Sequence, residues 1–128
     1  MDFSTALRDA ILESYFRSVA LYLSFNSGDL GRTGTGGADI TSSVTSGGRL
    51  LIPSTTWSAV TAVGNAREIS NTSSFSLGNA PSSITNAQTG LWTAASGGIF
   101  RMKFSTPFTT TAGQPYTIGI GALRVQMP

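Results

Sequence analysis

Few residues in this chain can do chemistry: six Asp or Glu, eight Lys or Arg, and no histidine or cysteine. Without thiols or imidazoles there is no thiolate metal site, no disulfide, and no Ser-His or Cys-His nucleophile pair. The carboxylates are left. Asp2, Asp9 and Glu13 fall in the first stretch, Asp29 and Asp39 frame a glycine-rich segment, and Glu68 follows Arg67. Glycoside hydrolysis needs two carboxylates facing one cleft, and nothing in this spacing suggests such a pair. Asp29 and Asp39 have no third ligand nearby in sequence, so no metal site is expected. The segment 26–39 has five glycines in fourteen residues and superficially suggests a phosphate cradle. A cradle ending in Gly-Lys-Ser/Thr needs a lysine that is missing here, and a dinucleotide turn should open a helix where this sequence turns β-like. The expectation is a non-enzymatic protein with no cofactor. Trp57, Trp92 and Tyr22 are able to stack a sugar or a base, a role that competes with core or interface packing.

Those residues must be positioned by a small number of elements. Residues 3–17 have a helical period: Phe3, Leu7, Ile11 and Tyr15 recur every four positions, Ala6, Ala10 and Leu12 widen the stripe, and Arg8, Asp9, Glu13 and Arg17 lie mostly off it. Asp2 or Ser4 can cap its start. A helix this short is marginal alone, so the stripe is expected to dock, either on the chain's own β-domain or on a partner subunit. Residues 18–25 alternate, with Val19, Leu21, Leu23 and Phe25 on one side and Ser18, Ala20, Tyr22 and Ser24 on the other. That pattern predicts the first central strand, with one face committed to a core.

Downstream, residues 40–52 read as one or two short strands, 55–63 as a strand with Trp57, Ala59, Thr61 and Val63 on one face, and 86–90 as a loop. Ile99–Phe104 is a clear strand in which Phe100, Met102 and Phe104 alternate with Arg101 and Lys103. Tyr116, Ile118 and Ile120 align, as do Leu123, Val125 and Met127. Roughly eight short strands with turn signals every eight to twelve residues predict a mainly β fold, an antiparallel β-sandwich or flattened barrel. The expected organisation is an N-terminal amphipathic helix, 1–17, followed by a β-sandwich domain, 18–128.

The bulk numbers narrow the partners. Only 11% of residues are charged, the net charge is +2, and the basic residues are scattered singly, so no nucleic acid is expected. No 20-residue apolar run exists to span a membrane. Asp2, Asp9 and Glu13 interrupt the start, so no signal peptide is expected.

From about residue 18 onward the chain resembles a family of small tailed-bacteriophage virion proteins, loosely described as tail or tail-fibre proteins. The likeness is carried by "VALYLSF", "GRTGTGGADI" and above all "NTSSFSLGNAPSSITNAQTGLWTAASGGIFRMKFSTPFTTTAGQPYTIGIGALRVQM". The family's "T-H-[VAI]-G-L-[FW]-D-A-A-x-G-G" is matched by Leu91, Trp92, Ala94, Ala95, Gly97 and Gly98. Its "L-x-x-P-x-x-V-x-x-G-D" is matched by Phe104, Thr106, Pro107 and Gly113, and its closing strand pair by Ile118, Gly121, Leu123 and Val125. Two positions depart: the family histidine falls at or beside Asn86, and the aspartate after the aromatic is Thr93. The matching residues set turns and cores and carry no chemistry. Gly97, Gly98, Pro107, Gly113 and Gly121 are the expected structural turns.

The resemblance implies a virion structural protein, made in the bacterial host cytoplasm, with phage coat or tail proteins as partners. A capsid decoration or cement protein stabilising the head is the first expectation, as a homo-oligomer with a trimer favoured. A tail, tail-tip or fibre-associated protein, able to bind host-surface carbohydrate, is the alternative. The expected partner contacts are Phe3, Leu7, Ile11 and Tyr15 on the helix, Asp29 and Arg32 in the adaptable glycine-rich loop, and Arg101 and Lys103 on the late strand, able to face an acidic partner.

Overall fold

The computed structural model describes residues 3–105 and 107–128. In chain order its elements are helix α1 (Thr5–Leu12), a π-helical turn (Glu13–Arg17), β1 (Leu21–Asn26), helix α2 (Thr41–Thr45), β2 (Leu50–Ile52), a 3-10 turn (Ser54–Thr56), β3 (Thr61–Val63), β4 (Ala66–Ser70), β5 (Phe75–Asn79), β6 (Thr85–Asn86), β7 (Gln88–Trp92), β8 (Phe100–Phe104), β9 (Phe108–Thr109), β10 (Pro115–Ile118) and β11 (Arg124–Met127). The fold is mixed and mainly β: an N-terminal helix and several small antiparallel sheets. The chain divides into two compact units. The first comprises residues 1–20, 53–75 and 118–128, and the second 21–52 and 76–117.

The second unit is built on β1, an inner strand of the sheet β2-β1-β7-β8. Of the expected strand 18–25, residues 18–20 precede β1 and Val19 is half-buried; Leu21, Leu23 and Phe25 are fully buried, as the alternation predicts, but Ser24 and Asn26 are buried as well. An inner strand covered on both faces must pair its polar side chains. Trp92 Nε1 donates to Ser24 Oγ at 3.0 Å, and Ser24 Oγ donates to Asn26 Oδ1 at 3.0 Å. The Asn26 backbone N–H donates to Asn86 Oδ1 at 2.9 Å. This network explains why 86–90, read as a loop, is mostly strand. A Cβ on Gly90 would lie 3.0 Å from both Ser24 Oγ and Trp92 Nε1, so the glycine leaves room for the bond between them. Phe25 meets Phe108 edge-on at 5.8 Å, and Phe108 stacks on Tyr116 at 4.2 Å.

A second difference lies at 40–52, where strand was expected and Thr41–Thr45 forms a helical turn before β2. Asp39 Oδ1 accepts from both the backbone N and the hydroxyl of Thr41, at 2.9 and 2.6 Å, while Thr41 Oγ1 accepts from Phe25 N at 3.0 Å. A side-chain acceptor at this spacing favours a turn over an extended ladder.

In the first unit Ser4 caps α1 by accepting from Leu7 N at 3.1 Å. The other candidate cap, Asp2, lies outside the described residues. α1 and the π-helical turn together cover most of the predicted 3–17 helix, but its orientation differs from the expectation. Leu12 and Phe16 are the buried side chains, facing a unit whose sheet runs β11-β4-β3. Phe3, Leu7 and Tyr15 remain 49%, 46% and 47% exposed. The stripe expected to dock is therefore split: Leu12 is buried and Ile11 half-buried, while Phe3, Leu7 and Tyr15 lie at the surface. The anchors lie on the other side: Asp9 takes a two-pronged ion pair from Arg67, at 2.6 Å to Nε and 3.1 Å to Nη2, and Arg8 donates to the carbonyl of Asn65.

The expected strand 55–63 is interrupted. Pro53 leads into the 3-10 turn, Trp57 makes a single bridge to Asn71 and is buried, and β3 begins only at Thr61. Val63 is left exposed. Asn71, also buried, ties the unit together: its Nδ2 donates to Ser73 O and Gly119 O, both at 2.9 Å, and its Oδ1 accepts from Leu123 N at 2.9 Å. Leu123 and Val125 are buried as aligned, whereas β10 ends at Ile118 and leaves Ile120 exposed on the following turn.

Candidate functional site

The carboxylates are dispersed and already engaged. Among the described residues Asp9 binds Arg67, Glu13 binds Arg17, Asp29 binds Lys103, Asp39 binds Thr41 and Glu68 accepts from Gln126. No group of three or more Asp or Glu among them is placed to hold a metal ion. The aromatic candidates are engaged too. Trp57 is core. Trp92 has the Arg49 guanidinium 4.1 Å above its ring, Phe100 tilted against it at 5.1 Å, and its N–H on Ser24. Tyr22 is half-buried.

The loop 26–39 is closed on itself. Ser27 N donates to Ala38 O at 2.9 Å, Ile40 N to Phe25 O at 2.8 Å, and Gly36 N to Leu30 O at 3.1 Å. Leu30 is fully buried, and its N–H donates to Gln88 Oε1 at 2.9 Å. Asp29 Oδ1 accepts from Gly31 N at 2.8 Å and from Lys103 Nζ at 2.6 Å. The Lys103 hydrogen bond, then the Gly31 N–H, hold the Asp29 carboxyl below its ordinary range. Two predicted contacts, Asp29 and Lys103, are thus brought together, while Arg32 is exposed elsewhere on the loop. Arg101 lies on β8 with Lys103. Gly97, Gly98, Gly113 and Gly121 all have positive φ, between 65° and 81°, as turn positions require. Pro107 is exposed just before β9, and its neighbour Thr106 lies outside the described residues.

The described residues also line concave regions, and one in each unit carries charged groups. In the second unit a depression of about 300 Å³ is lined by Asp39, Thr41, Ser42, Arg49, Ala95 and Ser96. Arg49 is fixed there by donating Nη1 to Ala94 O and Gly97 O, at 2.9 and 2.8 Å. Burial pushes its pKa down, against the pull of Asp39. In the first unit a cleft of about 530 Å³ is lined by Phe3, Thr5, Arg8, Ala62, Asn65 and Arg67, among others. The hydrogen bonds that Arg67 donates to Asp9 hold the Arg67 pKa above its ordinary value. Arg8 meets neutral oxygens: Asn65 O, Met127 O at 3.4 Å and Thr5 Oγ1 at 3.3 Å.

Of the helix residues singled out from sequence, Phe3, Leu7 and Tyr15 share an exposed apolar stripe, with Ile11 half-buried beside it. The cleft residues Arg8 and Arg67 were not singled out as contacts. The only signal for them was two arginines flanking apolar positions, which does not distinguish them from solvated charges. No protein-family model matches the chain, and a search of curated proteins finds no match either.

Proposed function

We propose that this protein is a non-enzymatic structural component of a tailed-bacteriophage particle, made in the host cytoplasm and carried on the head as a decoration protein. The observation that carries this reading is the helix that grips its own sheet with one side and offers an apolar stripe with the other. Arg8, Asp9, Glu13 and Arg17 are all bound within the chain, so the exposed stripe is uncharged and suited to burial against another protein. The small antiparallel β-sheets, read as a β-sandwich, serve as the rigid body and the helix as the handle. The assembled form is a homo-oligomer, with a trimer favoured by the decoration role, and the partners are coat subunits.

Support for a structural role over a saccharide-binding one comes from the aromatics. Trp57 is buried and Trp92 is covered by Arg49 and Phe100, so neither offers an open stacking face. The test is the number of copies per purified particle, by quantitative mass spectrometry. Several hundred copies, released by mild destabilisation of the head, are expected. Between three and about a dozen, retained on isolated tails, would move the protein to the tail. None on any particle would end the virion reading.

A further inference from the structure

The exposed stripe does not stand alone. Phe3, its first residue, is also a wall of the 530 Å³ cleft in which Arg8 and Arg67 lie. The two arginines differ. Arg67 is answered by both oxygens of Asp9. Arg8 forms no salt bridge with any carboxylate among the described residues, and its Nε is buried without a hydrogen-bond partner. Nη2 gives one of its two N–H groups to Thr5 Oγ1. Among the described residues this half-buried guanidinium is held by neutral oxygens and lacks the partner its fork best fits, a carboxylate.

We propose that the stripe and the cleft form one docking surface for a segment of a partner protein in which apolar side chains flank an Asp or Glu. The apolar side chains lie along Phe3, Leu7 and Tyr15, and the carboxylate enters the cleft toward Arg8. The assignment rests on the reading that the helix is the contact in the assembled particle. Charge favours a carboxylate-bearing occupant, because the described lining of the cleft holds Arg8 and Arg67 and no Asp or Glu side chain. Area argues against a second copy seated on the stripe alone. Two aromatics and one leucine, each about half exposed, offer roughly 300 Å² per partner, short of the ~800 Å² typical of a stable interface. A partner segment that also fills the cleft adds both area and a charge-assisted hydrogen bond.

The test uses the full chain and fluorescence anisotropy with two labelled synthetic peptides. Both carry the same Leu and Phe residues, with Glu at the polar positions of one and Lys at those of the other. The Glu peptide is expected to bind at least tenfold more tightly, with a preference that shrinks as salt is raised. Ala62→Glu, which puts a carboxylate at the wall of the cleft, should abolish the preference. Ala62→Gln, of the same size and uncharged, should keep it, which separates occupancy by charge from misfolding. Leu7→Ser should weaken both peptides. Equal binding of the two peptides, indifference to Ala62→Glu, or no binding of either at millimolar concentration would overturn the proposal. The virion reading is checked apart from it. If parent and Ala62→Glu proteins load equally onto particles, the docking proposal falls and the structural role stands. If neither loads but the Glu preference holds, the docking surface stands without the virion role.

Discussion

The N-terminal helix and the glycine-rich loop are opposite solutions to one problem, how a segment with exposed backbone or apolar surface is satisfied. The loop, five glycines in fourteen residues, turns inward: its base is closed by backbone hydrogen bonds, Leu30 plugs the core, and Asp29 is tied to Gly31 and Lys103. The helix is regular and capped, yet it satisfies only one side. Leu12 and Phe16 are buried while Phe3, Leu7 and Tyr15 are not. Backbone freedom written in a sequence therefore does not by itself mean an open loop: folding closes this one and leaves part of the helix surface exposed.

The largest effect that separates the two regions is a truncation in each. Leu30→Ala removes a fully buried side chain and should cost about 2–5 kcal/mol. Leu7→Ala should stay within about 0.5 kcal/mol, as for other surface positions. Urea denaturation of both variants measures the difference. A Leu7→Ala cost equal to that of Leu30→Ala would mean that the stripe is packed in the free protein, and the contrast would collapse.

A smaller effect probes how tightly the loop is closed. A Cβ on Gly36 would sit 2.2 Å from Asp29 O, whereas Gly31, with φ +69°, has open space around it. Gly36→Ala should cost roughly 1–3 kcal/mol and speed hydrogen exchange at Ser27 and Gly36, because the backbone must move. Gly31→Ala should cost about 1 kcal/mol from its left-handed conformation alone and leave those amides protected. Exchange that rises equally in both variants would show a loop free to adjust after all.

These contrasts show what was legible beforehand. The inner strand was, because Leu21, Leu23 and Phe25 alternate without interruption, and so was β11 with Leu123 and Val125. The turn glycines were, because positive φ restricts the choice of residue. The strand through Gly90 was not, since it depends on pairing with β1 and β8 and on a hydrogen bond between Trp92 and Ser24, 68 residues apart. The helix was legible as a helix, but not the side it would bury. That depended on Arg67, 58 residues beyond Asp9, reaching back to it. The cleft was invisible for the same reason, because Arg8 and Arg67 become neighbours only when β4 and α1 pack.

The helix anchor can be released without touching the stripe. Asp9→Ala removes the fork to Arg67 and should raise hydrogen exchange across residues 6–12, with the apolar stripe chemically unchanged. Asp9→Glu should restore part of the protection if the ion pair is what holds the helix. If Asp9→Ala exchanges no faster than the parent, Leu12 and Phe16 suffice to seat the helix.

The smallest effect is electrostatic and belongs to the loop. Asp29 titrates below its ordinary value of 3.8, chiefly because Lys103 donates to it and then because Gly31 N–H does. A carboxyl whose folded pKa is depressed adds stability above its unfolded pKa and loses it as pH falls through the lower folded value. Lys103→Gln should therefore raise the Asp29 pKa toward 3.8, remove a little of the stability present above that pH, and so flatten the acid side of the stability profile slightly. The Gly31 N–H should keep the value somewhat below 3.8. Carbon-13 NMR titration of the Asp29 carboxyl reads the shift directly. An unchanged titration would mean that Lys103 is not held by Asp29 in solution. Lys103 would then be released from the loop, and the loop would no longer be the self-contained counterpart of the helix.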